Sequence, residues 1–175
     1  QQYREKFLFP IKTFYESVGF NFDNESFEDT NKEFHDSFAK QFRTLALQPF
    51  AKETIIKISK TNTVQSILSA TMQEKLTEQV GFFDLQHYLE NIVGLSSTPS
   101  GYGKEYEGSE LMMGVDIPAS ETIIIGDSVL DFSVSQSLGT DCALVYNGHN
   151  DMNRLKATGS YTFEHIDSFY NWLTD

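Results

Sequence analysis

The spacing of apolar residues divides the chain into a helical leader and an alternating remainder. Over residues 1–48, apolar side chains such as Phe34 and Phe38 recur three or four positions apart, which is typical of amphipathic helices. From Pro49 onwards, a helix at about 50–60 is followed by short apolar runs that alternate with amphipathic segments. The runs lie at 66–69, 91–95, 122–125 and 142–146, and the helical patterns lie at about 72–80, 104–114, 128–138, 150–157 and 165–173.

Short apolar runs that alternate with helices predict βαβ units and a parallel sheet. The run at 122–125 is entirely β-branched, as suits a strand that is covered on both faces. We therefore expect an α/β fold, with a Rossmann-like parallel core over 49–175 that carries helices on both faces. Residues 1–48 should form a small helical bundle with a core rich in phenylalanine, and the alternative is a lid whose aromatic side chains also line a pocket. The Gly/Ser-rich stretch 96–103 should be a loop.

Charge and composition exclude several classes of function. The chain carries 25 acidic and 13 basic residues, a net charge of −12, so it repels the phosphate backbone of nucleic acids. It has neither a polybasic tract nor an apolar run of about 18 residues, so we expect no membrane partner. The single cysteine, Cys142, excludes an internal disulfide and a zinc site of several cysteines. A cytoplasmic location is the expectation.

Two carboxylates follow the run at 122–125. Asp127 comes directly after Gly126, and Asp131 lies four residues further on, near the start of the next predicted helix. Ligands of parallel sheets bind beyond the carboxyl ends of the strands, and two carboxylates at this spacing can converge on one hard cation. The alternative is that Asp127 only caps the helix at 128–138.

Hydroxyl groups and a lysine follow the two preceding runs. The first run ends at Ser69 and is followed by Ala70 and Thr71, just before a predicted helix. Hydroxyl and backbone N–H groups at such a place can bind a phosphate or another oxyanion. Lys104 opens a later helix, where a cation opposes the helix macrodipole. This misfit indicates a role such as neutralising phosphate charge. The alternatives are a simple helix cap at Ser69 and an ordinary surface lysine at Lys104.

In this order, the three groups resemble motifs of the haloacid dehalogenase superfamily of phosphohydrolases. Ser69 matches the second motif, Lys104 the third, and Asp127 with Asp131 the fourth. The resemblance implies a Rossmann-like core with a small helical cap that is inserted after the first motif.

The resemblance covers about residues 50–175 as the core and extends to 1–48 as the cap. The stretch 3–12 is similar to the opening of the cap in phosphoglycolate-phosphatase-like members. The Gly-His-Asn sequence at 148–150 is also similar to the family, and it places His149 in a loop that we expect near the site.

The resemblance implies hydrolysis of a phosphomonoester in two steps. An aspartate of the first motif attacks the phosphorus and becomes an aspartyl-phosphate, and a second aspartate two residues later protonates the leaving oxygen and then activates water. Mg²⁺ would bridge the nucleophile, the phosphate and Asp127. Ser69, Ala70 and Lys104 would hold the phosphoryl oxygens. Asp131 would be a second metal ligand or would orient Lys104.

The chain departs from the family at the first motif. Both catalytic aspartates belong to a strand that precedes the cap, and here the cap-like sequence starts at residue 1. The Asp-Asn-Glu sequence at 23–25 is similar, but it lies between two helical segments and is interpreted as a turn. In this family the first strand is central, between the strands that end at Ser69 and Gly126. We therefore expect it to be missing from this chain, which leaves two sheet edges unpaired.

Three explanations of this departure stay open. The favoured one is a shortened form of a longer protein, because Gln1 is not a start residue. The missing segment can also remain bound as a separate piece, or the chain can be a degenerate member that closes its sheet differently.

The first functional hypothesis is a Mg²⁺-dependent phosphatase, inactive without its nucleophile, that acts on a small phosphorylated metabolite. Arg4, Lys12 and Tyr15 are candidates to contact the far end of that substrate. The alternative is a catalytically inactive binding module that keeps an anion pocket at Ser69 and Lys104. A third hypothesis, a doubly wound regulatory domain of receiver type, is disfavoured by the helical leader.

Overall fold

The computed structural model describes residues 2–96 and 104–175. Most of the loop expected at 96–103 therefore lies outside the described residues. The α-helices are α1 (Gln2–Lys6), α2 (Ile11–Ser17), α3 (Phe27–Gln41), α4 (Ala51–Ile58), α5 (Gln73–Phe82), α6 (Glu105–Gly114), α7 (Val129–Leu138), α8 (Met152–Ala157) and α9 (Ile166–Thr174). The strands are β1 (Ser66–Met72), β2 (Asn91–Leu95), β3 (Ile123–Gly126), β4 (Asp141–Val145) and β5 (Tyr161–Phe163).

All strand pairs are parallel, as the alternation of strands and helices predicts, but the strands form two sheets. β1 pairs with β2, with Ser66 opposite Asn91. The second sheet has the order β3–β4–β5, with Ile123 opposite Asp141. β5 is not among the predicted runs, because three residues, of which Tyr161 is exposed, are too few to show a period.

Helices cover one face of the strands through two apolar clusters. Leu76 of α5 packs with Ile67 of β1 and Ile92 of β2. Phe169 of α9 packs with Ala143 of β4. Because α4 packs with both clusters, through Ile55 and Ile58, α5 and α9 lie on the same face of the two sheets.

The opposite face is covered by α6, α7 and α8. Leu155 of α8 and Phe132 of α7 pack with Leu144 of β4. Gly108 of α6 lies so close to Leu68 of β1 that a Cβ at this position would be 3.1 Å from the leucine Cδ2 atom. Helices therefore lie on both faces of the strands, as predicted.

The two sheets are joined by helices rather than by strand pairing among the described residues. On one face, Ile55 of α4 packs with the β1–β2 cluster, and Ile58, nearly one turn later, packs with the β3–β5 cluster. On the other face, Gly108 of α6 lies beside Leu68 and beside Leu138 of α7. One edge of β1 and one edge of β3 thus lie under the same helices.

The strands that pair on one side are less buried than β4, which pairs on both sides. All seven residues of β1 and all four of β3 are at least partly exposed. Cys142, Ala143 and Leu144, in the middle of β4, are buried. β4 has a strand on each side, whereas β1 and β3 each pair on one side within the described residues.

The stretch 2–41 contains the three helices α1, α2 and α3, as the helical pattern predicts, but its aromatic packing differs from the expectation. Ser26 caps α3 by accepting a hydrogen bond from the Asp29 N–H. Phe34 and Phe38, expected in a phenylalanine-rich core, are 57% and 39% exposed. The aromatic contacts gather instead around α2 and the turn after it, because short helices with polar faces enclose little space. The participating rings are Tyr15, Phe20, Phe22 and Phe27.

The helices of residues 2–96 and 104–175 are all too short or too polar to cross a lipid bilayer.

Candidate active site

Lys104 lies where the two sheets meet. It directly precedes α6, and its Nζ atom donates a hydrogen bond of 2.9 Å to the carbonyl oxygen of Leu68 in β1. The same Nζ atom lies 2.8 Å from the Asp131 Oδ1 atom. The side chains of Lys104 and Asp131 are only 12% and 8% exposed, so Lys104 is not an ordinary surface lysine.

The carboxylate of Asp131 accepts several hydrogen bonds from the turn between β3 and α7. Its Oδ2 atom accepts hydrogen bonds from the N–H of Asp127 at 3.1 Å and from the N–H and hydroxyl of Ser128 at 3.0 and 2.7 Å. Ser128 is the N-cap of α7 and forms a capping box with Asp131. The alternative in which Asp127 caps this helix is therefore wrong, because Ser128 occupies that position.

The environment of Asp131 favours its charged form. Burial by itself would raise the pKa of Asp131, but the ammonium group of Lys104 and the hydrogen bonds from Ser128 and Asp127 outweigh it. The pKa of Asp131 consequently lies below the ordinary value for an aspartate. Gly126 makes the compact turn possible, since a Cβ there would overlap the Asp131 carboxyl group.

Asp127 leaves the carboxyl end of β3 and is fixed by the loop that follows β4. The His149 N–H donates a hydrogen bond of 2.6 Å to Asp127 Oδ2, and the Asn150 N–H donates one of 3.3 Å to the Asp127 carbonyl. A Cβ at Gly148 would overlap the Asp127 carboxylate, so only glycine lets the loop pass so closely. These contacts bring the Gly-His-Asn sequence beside Asp127.

Ser69 and Ala70 lie in β1, one residue after the carbonyl that Lys104 contacts. The strand continues to Met72, beyond the end expected at Ser69, because its pairing with β2 shifts register between Leu68 and Met72. The Ser69 hydroxyl accepts a hydrogen bond of 3.1 Å from the Thr71 N–H. The simple helix cap considered for Ser69 is therefore wrong, and Met72 is the N-cap of α5.

A pocket of about 570 Å³ opens beside Asp127 at the carboxyl ends of β3 and β4. Tyr3 of α1 lines it, and its hydroxyl lies 2.6 Å from the Nδ1 atom of His149. Burial and the nearby carboxylate of Asp127 raise the pKa of Tyr3 to about 12, so its phenol is neutral at pH 7. Phe7 stacks on the His149 ring, with centroids 4.3 Å apart.

Tyr3 is a residue of this pocket that the sequence pattern does not predict. The contact joins residues 146 positions apart, and no local pattern in the sequence reports a pairing of that range. The only available signal was the family-like stretch at 3–12, of which Tyr3 is the first residue.

The three candidates for contacting the far end of a substrate lie in different places. Arg4 stacks over the Tyr146 ring and donates a hydrogen bond of 3.0 Å to the Asn147 carbonyl, beside the pocket. Lys12 and Tyr15 both contact Phe22, in the aromatic group of the leader. The structure thus brings Arg4 to the pocket loop but gives Lys12 and Tyr15 other neighbours.

The donor groups at this site suit a hard cation in part. Asp127 offers carboxylate oxygen, which Mg²⁺ prefers, at the mouth of a pocket. Both oxygens of Asp131 are already engaged by Lys104, Ser128 and Asp127. Among residues 2–96 and 104–175, no group of three or more His, Cys, Asp or Glu side chains is arranged to hold a metal ion. Asp127 could therefore hold Mg²⁺ together with oxygen atoms from elsewhere.

The sequence of this chain matches a known protein family. Residues 1–145 match the family described as haloacid dehalogenase-like hydrolase. Among curated protein sequences, none matches this chain.

Solved structures share the fold at low sequence identity. A predicted phosphatase from Clostridium acetobutylicum has a TM-score of 0.76 at 18% identity, with 93% of this chain and 76% of that chain covered. A haloacid dehalogenase-like family hydrolase from Streptococcus pneumoniae has a TM-score of 0.73 at 16% identity, with 93% and 80% covered.

Protein Tyrosine Kinase A from Mycobacterium tuberculosis shares the fold equally well. Its TM-score is 0.76 at 15% identity, with 94% of this chain and 76% of that chain covered. A protein named as a phosphatase and a protein named as a kinase are equally similar to this chain in structure. These similarities therefore establish the fold alone.

Proposed function

Because this chain belongs to the haloacid dehalogenase-like hydrolase family, we propose that it contributes to a Mg²⁺-dependent phosphomonoester hydrolase of the cytoplasm. The observation that carries the proposal is the convergence of Lys104, Asp131 and Asp127 at the carboxyl edge of the strands. The sequence order of the motifs predicts this convergence, although the residues come from different strand ends.

Each residue has a role that its contacts support. Asp127 would hold Mg²⁺, and the ion would neutralise charge at the phosphoryl group. Lys104 and the Ser69 hydroxyl, with the N–H groups around Ala70, bind phosphoryl oxygens. Asp131 orients Lys104 through their buried ion pair, which the occupied Asp131 oxygens favour over a role as a second metal ligand.

The nucleophile is proposed to come from outside the described residues. Asp131 is paired with Lys104, and Asp127 is the metal ligand of this scheme. The chemistry requires a further aspartate for the aspartyl-phosphate and a second one for proton transfer. The segment that carries both belongs beside Asp127, at the carboxyl edge.

The substrate is proposed to be a small phosphorylated metabolite. The pocket of about 570 Å³ has room for a phosphate group and a few further atoms. Tyr3 and Arg4, from the first helix, border it or its loop and would face the part of the substrate beyond the phosphate.

The test is Mg²⁺-dependent turnover of p-nitrophenyl phosphate by the full-length gene product. Asp127→Asn should lower the rate by roughly a hundredfold or more and remove its Mg²⁺ dependence, because one ligand charge at the metal is lost. Asp23→Asn, in the turn before α3, is the matched control and should change neither. Unchanged turnover in Asp127→Asn would refute the metal assignment.

A second candidate is a catalytically inactive module that binds anions. The specific observation in its favour is the buried Lys104 amine, which can attract a phosphate group without any nucleophile. Phosphate binding by a full-length product that shows no turnover with or without Mg²⁺ would favour this candidate.

A further inference from the structure

Asn150 is a buried polar residue at a point where three segments of the chain meet. It is only 2% exposed and directly follows His149 in the loop after β4. Its Oδ1 atom accepts a hydrogen bond of 2.8 Å from the Val129 N–H, at the start of α7. Its Nδ2 atom donates a hydrogen bond of 3.0 Å to the Phe7 carbonyl, at the end of α1. A buried amide with both groups paired is a fixed contact between the core and the helical leader.

The two bonds require the chemistry and the length of an asparagine side chain. The amide oxygen faces an N–H donor and the amide nitrogen faces a carbonyl acceptor, so the partners determine the orientation of the amide. An aspartate at this position would lack the donor for Phe7. A leucine would lack both polar groups, and either change would leave a buried backbone group unpaired.

The same residue contacts the backbone on both sides of the Asp127 side chain. The Asn150 N–H donates a hydrogen bond of 3.3 Å to the Asp127 carbonyl, and Val129 lies only two residues after Asp127. The preceding residue, His149, donates its N–H to the Asp127 Oδ2 atom at 2.6 Å. A shift of the loop at 149–150 would therefore move the Asp127 carboxylate.

On the side of the leader, Phe7 is the point of contact. It is 4% exposed, and its ring stacks on the His149 ring with centroids 4.3 Å apart. Its carbonyl also accepts a hydrogen bond from the Arg154 Nη1 atom, in α8. The same Nη1 atom lies 3.3 Å from the carbonyl oxygens of Arg4 and Glu5, which belong to the last turn of α1. Arg154 thus fastens the end of α1 to the core.

We propose that Asn150 is a positioning residue for Asp127, through which the docking of α1 on the core controls the orientation of the Asp127 carboxylate. With α1 docked, the Phe7 carbonyl and the Val129 N–H hold the Asn150 side chain between them. The loop then presents the His149 N–H to Asp127. When α1 separates, Asn150 loses a buried partner and the loop loses its fixed position.

The consequence for metal binding rests on the proposed function, whereas the coupling between α1 and Asp127 does not. Groups that hydrogen-bond to a metal ligand orient it, and their removal typically lowers metal affinity by about ten- to a hundredfold. Weaker docking of α1 should therefore weaken Mg²⁺ binding at Asp127. The leader, in which we expect a cap, would in this way bring Asp127 into its binding orientation as it docks.

The first measurement is amide hydrogen exchange of the 175-residue chain, followed by NMR without any metal ion. Asn150→Asp keeps an oxygen for the Val129 N–H and removes the donor for the Phe7 carbonyl. The His149 amide should exchange at least about tenfold faster, relative to the Leu144 amide in β4, because one buried hydrogen bond is worth about that factor.

A second variant tests the coupling from the side of the leader. Arg154→Met keeps the apolar stem of the side chain and removes the group that fastens α1. It should accelerate exchange of the His149 amide at least about threefold relative to Leu144, and it decides alone if Asn150→Asp does not fold. Asn153→Asp, at an exposed position of the same helix, is the matched control and should leave this exchange unchanged.

The consequence for Mg²⁺ is measured on the full-length gene product with p-nitrophenyl phosphate. Arg154→Met should raise the Mg²⁺ concentration for half-maximal turnover by about tenfold, and it should change kcat at saturating Mg²⁺ by less than about threefold. A merely structural defect would instead reduce the amount of active protein and leave that Mg²⁺ concentration unchanged.

Each outcome decides one point. Equal acceleration of the His149 and Leu144 amides, or unchanged exchange of His149 in the folded variants, would overturn the positioning role of Asn150. A parent product without turnover would refute the proposed function, and the exchange measurement would still decide the coupling. Faster exchange of His149 with an unchanged Mg²⁺ requirement would confirm the coupling and overturn its effect on metal binding.

Discussion

Lys104 and Asp131 form a buried ion pair that couples the chemistry of the site to the stability of the fold. Their side chains are 12% and 8% exposed, and the pair also joins β1 to the turn after β3. Removing one partner of a buried pair is costly, because the other charge remains without a counterion. A substitution of either partner should therefore affect both the stability of the fold and the site.

The first prediction concerns Asp131. Asp131→Asn should destabilise the chain by about 3 kcal/mol at pH 7, because the Lys104 ammonium stays buried without its partner. Urea unfolding measures the change. Asp36→Asn is the control, because the Asp36–Lys32 pair is solvent-exposed, and it should leave the unfolding midpoint unchanged. Equal midpoints for Asp131→Asn and the parent chain would contradict the prediction.

The lowered pKa of Asp131 implies that the stability of the fold depends on pH. The pKa of Asp131 is lower in the folded chain than in the unfolded one, so its stabilisation is complete above the ordinary aspartate pKa. The stabilisation is lost as the pH falls from there through the lower, folded-state pKa. As the pH falls through this range, the free energy of unfolding should decrease less for Asp131→Asn than for the parent chain. Urea unfolding at several pH values measures the difference. Parallel pH profiles would refute this.

At the scale of elements, the packing of β2 against the start of α5 depends on a close approach of backbones. A Cβ at Gly94 of β2 would lie 2.5 Å from the Thr71 carbonyl oxygen and 2.9 Å from the Gln73 Cα atom. The Gln73 side chain crosses the same contact, since its Oε1 atom accepts a hydrogen bond of 2.7 Å from the Gly94 N–H. Both obstructing atoms belong to the backbone, which cannot rotate away.

The corresponding prediction compares two glycines. Gly94→Ala should destabilise the chain by about 2 kcal/mol, because β2 or α5 must shift. Gly81→Ala, within α5, meets no atom within 4 Å and should stabilise it by roughly 0.5 kcal/mol through helix propensity. Thermal and urea unfolding measure both. A stable Gly94→Ala variant would mean that β2 and α5 are not held as closely as described.

At the scale of the whole molecule, the two sheets share one helical cover but differ in how completely their strands are paired. β4 is flanked by strands on both sides and is buried at its centre, while β1 and β3 each pair on one side within the described residues. The described structure is thus held together laterally by helix packing and by the Lys104–Asp131 pair.

Hydrogen exchange tests this description. The amides of β4 should exchange most slowly of the strands. The amides of Leu68, Ile123 and Ile125 should exchange fastest within their strands, because the alternation of a strand directs them away from β2 and β4. Uniform protection of β1, β3 and β4 would contradict the one-sided pairing of β1 and β3 within the described residues.

Most elements of the fold could be predicted from the sequence alone, and so could several residues that the structure brings close together. Apolar periodicity predicted the parallel strands β1 to β4 and the covering helices, because period and burial are local properties of the chain. The order of Ser69, Lys104, Asp127 and Asp131 indicated the family, to which residues 1–145 belong. Their roles, the substrate and the metal stay predictions.

The contacts among the groups of the site could be identified from the tertiary structure alone. The engagement of both Asp131 oxygens, the contact of Tyr3 with His149, and the passage of Gly148 against Asp127 join segments that are far apart in sequence or depend on an exact turn. The division of the described strands into two sheets is also a tertiary property. Strand pairing and side-chain approach depend on where the elements pack, and local patterns of hydrophobicity carry no record of that arrangement.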